Sequence, residues 1–238
     1  MDQVTAILRR VRAGDVGATP TQRLCVLCVE AAGVTGAGLS VTTGQGQRST
    51  IFATDPVSDR IEDLQVSLGE GPCVDAVGNG GPVLIADLRE PAVAVRWPGF
   101  AEAAMTAGAQ AAFALPLQVG AIQVGALDLY RDRPGELCGR ELSAALAYAE
   151  AVTRLILDLE SGALAGEMPT ELTRRWGGES AVHQATGMIM VQIGGDIATA
   201  FARLRAHAYL VDRGVEDVAR DIVARRLRFD RSEGDGVG

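Results

Sequence analysis

The side chains best suited to recognition gather in the last fifth of the chain, in AVHQATGMIMVQIG, GDIATAFARLRAHAYLVDRG and VEDVARDIVARRLRF. Arg205, His207, Tyr209, Arg213 and Arg220 follow one another closely there. Guanidinium forks pair bidentately with phosphate, and planar rings stack on unpaired bases, so this mixture suits looped or single-stranded nucleic acid. Over residues 183–230 seven Arg stand against six Asp or Glu, a balance of +1, and the remainder of the chain carries −9 of the total −8. The plainer alternative is a solvated face whose arginines pair with neighbouring carboxylates.

A second chemical candidate is Cys73, in the Gly-rich stretch LGEGPCVDAVGNGG. A nucleophilic thiolate needs a cation or a helix N-terminus beside it and a resolving thiol within reach. Cys73 precedes a short helical pattern, but both histidines, His183 and His207, belong to the C-terminal stretch. Cys25 and Cys28 form one CxxC inside an apolar helical pattern, with no second pair to complete a zinc site. The cysteines therefore read as buried structural thiols. No phosphate-binding loop, paired acid and base, metal constellation or cofactor motif is present, and the expectation is a protein that is not an enzyme.

Composition narrows the class. The chain has 238 residues, and all 22 of its basic residues are Arg. A 47% hydrophobic content with 22% charge excludes general disorder. The net charge of −8 argues against a nonspecific polyanion binder, leaving room for a local patch. No apolar run is long enough to span a bilayer, and MDQVTAILRRVRAGD is not a signal peptide; its Arg9, Arg10 and Arg12 read as the wet side of a short helix. A cytoplasmic location, with no membrane partner, is expected.

The elements that must position these groups follow from periodicity. Residues 20–33 predict a helix ended by Gly33; 36–44 and 48–55 predict a hairpin turning at Gly-Gln-Gly. Asp55-Pro56 caps a helix with Ile61, Leu64 and Leu68 inside, and a short helix follows among Gly69, Gly71, Gly78, Gly80 and Gly81. A strand at 82–88, a helix at 98–108 and a hairpin turning at Gly120 precede the longest helical pattern, 139–160. Its stripe of Leu142, Leu146, Ala149, Val152, Ile156 and Leu159 suits self-association as well as packing on its own sheet. The Gly, Ala and Pro of 161–170 mark a boundary. Beyond it, Val182, Ala185, Ile189 and Ile193 line a first helix; Ile197, Ala200, Phe201, Leu204, Ala208 and Val211 a second; Val215, Val218, Ala219 and Ile222 a third. The fold class is α+β: an antiparallel sheet flanked by helices, followed by a three-helix bundle.

The pattern QATGMIM, AFARLRAHAYL and DRGVEDVA resembles an ANTAR domain, the RNA-binding module of bacterial transcription antiterminators, over about residues 167–230. The matching positions include Ala185, Gly187 and Met190, then Ala200-Phe201 and Leu204-Arg205, then Val218-Ala219; Asp212 departs from the Asn or other small polar residue common in the family. Residues 15–160, with LGEGPCVDA, are similar to the GAF sensor domains that precede ANTAR modules in actinobacterial regulators. The resemblance implies a dimeric antitermination regulator that binds paired hairpin loops in nascent transcripts and acts on RNA polymerase indirectly. It implies RNA contacts from Ala185, Gly187, Arg205, His207, Tyr209, Arg213 and Arg220. A pocket for an unknown small-molecule signal is expected among Phe52, Cys73, Val74, Trp97, Phe100 and Phe113. Alternatives are a DNA-binding regulator, a plain ligand-binding protein, and a cysteine-dependent free methionine sulfoxide reductase built on a GAF-like fold.

Overall fold

Glycine and proline punctuate the chain, and the elements start and stop where they stand. The structure, a computed structural model, describes residues 3–13, 17–42, 48–120, 122–160 and 170–229, with side chains at all of these except 160, 170–180, 183 and 198. It divides into two compact units, Met1–Gln65 with Gly69–Thr170 in one and Val66–Leu68 with Glu171–Gly238 in the other. The Gly-Gln-Gly turn and the 161–169 boundary lie outside the described residues.

The first unit opens with α1 (Gln3–Arg12), ahead of the expected start at residue 15; Val4, Ile7 and Val11 are its buried face. In α2 (Pro20–Ala32) Thr19 and Gln22 form a reciprocal capping box, and Gly33 closes the helix in the left-handed conformation. Next come β1 (Gly36–Thr42), β2 (Arg48–Ala53), α3 (Pro56–Leu68), α4 (Pro72–Asn79) and β3 (Val83–Ile85), which is shorter than the expected strand. Helix α5 (Pro91–Arg96) was not expected; one turn and a half is too short to show a period. Then follow α6 (Pro98–Ala107), β4 (Ala111–Val119), β5 (Ile122–Arg131) and α7 (Gly139–Glu160).

The five strands form one antiparallel sheet in the order β2-β1-β5-β4-β3. Alternation along the strands gives it two unlike faces. Leu39, Leu127, Leu129, Phe113, Leu115 and Leu117 fall on one face, and α2 and α7 pack against the sheet. Gly36, Gly38, Ser40, Ala126, Asp128, Ala112 and Ala114 fall on the other, a field of small residues with one carboxylate in it. Helix α4 packs on β4 and β5. Helix α7 keeps most of its apolar stripe at home: Ala149, Val152 and Ile156 are buried, whereas Leu146 stays 44% exposed.

In the second unit α8 (Thr170–Ile193), α9 (Ile197–Leu210) and α10 (Val215–Val223) surround a core of Val182, Ala185, Ile189, Ala200, Leu204, Ala208, Val215, Val218, Ala219 and Ile222. Asp196 caps α9 through the Thr199 N–H at 2.7 Å. Asp212, after α9, has φ of 49°, a left-handed turn that Asp and Asn tolerate better than other side chains.

Helix α3 is fixed at its entry by Asp55. Its Oδ1 accepts from the N–H groups of Val57 and Ser58 at 2.9 and 3.0 Å and from the Tyr130 hydroxyl at 2.8 Å, tying helix to sheet. Asp55→Ala is expected to destabilise the chain by about 1–2 kcal/mol; urea unfolding of the two proteins checks this, with Tyr130→Phe giving a smaller loss.

Candidate functional site

The sheet face of small residues creates room that a carboxylate from α3 occupies. A Cβ on Gly38 would overlap Glu62 Oε1 and stand 2.7 Å from its Cδ, so glycine at 38 lets Glu62 lie flat on β1. Gly38 pairs across the sheet with Asp128, which brings the two acids together. Glu62 is 2% exposed and Asp128 6%. Glu62 and Asp128 are hydrogen-bonded to each other, and Cys73 bonds to Asp128 as well.

Burial pushes Glu62 well above the ordinary carboxyl range, and the charge of Asp128 adds to this, while Arg48 pulls the other way. Asp128 is raised too, burial outweighing the hydrogen bonds from Glu62 and Cys73 and the charge of Arg48. Two carboxylates in one dry site cannot both ionise cheaply, and the pair shares a proton. Half-buried Arg48 at the start of β2 is the nearby cation. Neither Glu62, Asp128 nor Arg48 stands out in the sequence as a site residue; the strand GAGLS, small at every second position, is the signal that the sheet needs space there.

The glycine-rich loop around Cys73 does structural work residue by residue. Glu70 Oε1 accepts from Gly99 and Phe100 N–H at 2.6 and 2.8 Å, capping α6. Gln65 Oε1 accepts the Cys73 N–H at 2.7 Å, joining the end of α3 to the start of α4. Asp75 pairs with Arg96 at 2.6 Å and accepts from Trp97 Nε1 at 3.2 Å. Cys73 itself is buried, 3.7 Å from Ser40 Oγ, and burial holds its thiol well above the ordinary range. A thiol so held is a poor nucleophile. Cys25 and Cys28 are buried and raised as well, Cys28 to about 12, but Cys138 is exposed, against the expectation of burial.

The expected pocket does not assemble as one lining. Phe113 and Phe52 register beside Leu129 and Leu39, on the sheet face opposite Asp128. Trp97 and Phe100 are core, packed edge to face at 6.1 Å. Cys73 is the expected residue that meets the carboxyl pair, and Val74 is half-buried beside it in α4.

In the second unit the expected RNA contacts separate. Ala185 is fully buried in the helical core and is not available to a ligand. Arg205 is half-buried with its guanidinium 5.3 Å over the Phe201 ring, and burial lowers its pKa. His207 stands edge to face with Phe229 at 5.3 Å. Arg213 pairs with Asp221 at 2.8 Å, and Arg220 with Asp217 at 2.5 Å; Tyr209 is exposed. Gly187 does not mark a close helix approach: nothing lies within 4 Å of where its Cβ would be. Instead it floors an open groove of about 530 Å³ with Gln184, Met188, Val191, Gln192, Arg225 and Arg228. Among the described residues neither Arg225 nor Arg228 has an acidic partner, and sequence reasoning did not separate them from the other arginines.

No protein-family model matches the chain, and no curated protein does. Solved structures do. The GAF domain of an Acinetobacter phosphoenolpyruvate-protein phosphotransferase is similar, with a TM-score of 0.50 and 11% identity over 67% of this chain and 94% of that one. The GAF domain of the Coxiella burnetii phosphotransferase gives 0.49 and 15%, covering 68% and 95%. A free methionine-R-sulfoxide reductase from Neisseria meningitidis in complex with its substrate gives 0.43 and 14%, covering 63% and 84%. Identities this low speak to fold alone, and the first unit has a GAF fold. Among the described residues no helix is long and apolar enough to cross a membrane, and no group of His, Cys, Asp and Glu is placed to hold a metal ion.

Because the pair's folded values lie above its unfolded ones, its contribution favours folding at low pH and is lost as pH rises through the raised values. Glu62→Gln removes the second charge and is expected to raise stability by about 1–3 kcal/mol at alkaline pH and much less at about pH 5. Thermal melts at both pH values check this; an equal loss at both would show that the carboxylate itself is needed.

Proposed function

We propose that this chain is a two-unit regulator in which a GAF-fold sensor controls an ANTAR-type helical unit that binds paired RNA hairpins in nascent transcripts and so prevents a terminator from forming. The observation that carries the RNA half is the groove on α8. Arg225 and Arg228, which have no acidic partner among the described residues, line it together with the amides of Gln184 and Gln192 and the apolar Met188 and Val191. Cationic forks suit phosphate, amides suit base edges, and an open apolar floor suits a splayed base. A mid-helix glycine with empty space over it costs about 1 kcal/mol against alanine, which a surface serving a ligand can carry.

The raised Cys73 thiol supports a sensor without turnover. RNA polymerase enters this reading indirectly, through the folding of the transcript. Two weak hairpin sites held together in a homodimer gain affinity without new contacts, and a signal that alters their joint presentation alters the output. Leu146, exposed on α7, is the apolar residue of that helix's stripe left for a second copy to cover.

Titration with a two-hairpin RNA and with duplex DNA of equal charge separates RNA from DNA recognition. Arg225→Ala with Arg228→Ala should weaken RNA binding at least about tenfold and reduce the salt slope by roughly 0.7 for each phosphate left without its arginine. Arg213→Ala, whose side chain is already paired, should cost less. Equal binding by the double variant and the parent protein would remove the groove, and preference for the duplex would replace RNA with DNA.

A further inference from the structure

Arg225 breaks a backbone rule. Its φ is 59°, and among the described residues only Asp212 joins it as a non-glycine with positive φ. An arginine there is strained where glycine would be at ease. The place is the close of α10, where the Arg225 N–H donates to Ile222 O at 2.9 Å and the Arg226 N–H to Asp221 O at 2.8 Å, a helix ending that usually falls to glycine. Strain of this kind persists where the surroundings enforce it, and it points to a use for the side chain.

The surroundings do enforce it. After the turn the chain returns to α8 and α9, and Leu227 and Phe229 pack against the core of the second unit. Phe229 is fixed twice: its N–H donates to Gln192 Oε1 at 2.8 Å, and its ring meets His207 edge to face at 5.3 Å. Arg226 Nε donates to the Asp221 carboxylate at 2.9 Å. Arg225 and Arg228 are left exposed, and they are the two that line the groove on α8 together with Gln192. The segment that is tied down is thus the one that carries the cations. We infer that residues 224–229 are a strap, anchored by Phe229 on His207 and Gln192, that positions the guanidiniums of Arg225 and Arg228 for a phosphate-bearing ligand. His207 is then a positioning residue that acts through Phe229 and does not touch RNA. Arginines already held need not be immobilised on binding, a step that otherwise lowers affinity for each side chain ordered. The inference deepens the RNA reading above and rests on it for the identity of the ligand.

Titration of the full chain with a two-hairpin RNA tests the strap. Phe229→Ala and His207→Ala free both arginines without removing either, and each is expected to weaken binding about tenfold while keeping the helical signal of the parent. His207→Phe keeps an aromatic partner for Phe229 and should bind within about twofold of the parent. A loss as large as that of His207→Ala would make the imidazole itself a contact and overturn the assignment. Arg225→Gly should part function from stability: the melting midpoint rises by about 2–4 °C as the strain goes, and RNA binding falls about tenfold with the lost phosphate contact. A raised midpoint with unchanged binding, or a lowered midpoint, would sink the proposal. The anchor has its own signature, because the chain holds two histidines. The His207 ring protons lie beside the Phe229 ring and should move in the proton spectrum of Phe229→Ala; unmoved signals count against the anchor. Inorganic pyrophosphate, which offers phosphates without bases, keeps two failures apart. Pyrophosphate binding that needs Phe229 and Arg225 in a chain indifferent to RNA supports the strap and removes the RNA half of the proposed function, whereas a parent chain that binds neither overturns both.

Discussion

Carboxyl groups are among the costliest things to take out of water, and the GAF-fold unit takes in two that face each other. The build around them leaves neither an easy way out. Asp55 pins the start of α3 to the sheet through Tyr130, and Gln65 pins its last turns to α4 through the Cys73 N–H. Glu62 lies between these two anchors, on a strand stripped of side chain at Gly38. Swinging the carboxylate to water would mean rotating a helix fixed at both ends. The remaining freedom is in the counter-charge, so the proton becomes the adjustable part of a rigid site.

The second unit handles charge in the opposite way, at its surface. Asp221 draws in Arg213 at 2.8 Å and Arg226 at 2.5 Å, and Arg220 turns to Asp217 and Glu216. Exposed pairs of this kind add little to stability. Their effect is on availability: an arginine held by a carboxylate must leave it before meeting a phosphate, whereas Arg225 and Arg228 meet no such competitor among the described residues. The residue type alone therefore says less about a nucleic-acid surface than the distribution of acids among the arginines.

This is also where the sequence was legible and where it was not. Helices and hairpins could be placed because their signals are local: Thr19 and Gln22 box an N-terminus, Asp55-Pro56 starts a helix, and Gly33 and Gly69 end two. The carboxyl pair could not. Glu62 sits beside Ile61 in an amphipathic helix, where a glutamate normally faces water, and Asp128 alternates with Leu127 and Leu129 as a solvated strand residue would. Only the register that sets Gly38 opposite Asp128 reveals that this face is covered. The aromatic residues misled for the converse reason. Phe52 and Phe113 are apolar in the way pocket linings are, yet the pleat turns them to the other side of the sheet. In the helical unit, period identified Ala185 as core-facing at the same time as family likeness named it a contact; the zero exposure of its side chain decides for packing.

A sensor must convert occupancy into a difference between two states of the protein, and it can do so only by as much as the occupant's affinity differs between them. A solvated site discriminates weakly, because water screens whatever charge enters or leaves. A dry pair does not have that loss: changing its net charge by one unit alters the field on Arg48 and Cys73 with little screening, and these belong to β2 and α4, elements different from the ones that carry the acids. A factor of ten in output requires only about 1.4 kcal/mol of such difference. That is comparable to the penalty of one unsatisfied buried acceptor, and the site encloses two carboxyl groups. The unfavourable burial that weakens the fold is thus large enough to be the energy source of a switch, and a pair of apolar residues in the same place would give a firmer core with nothing to report.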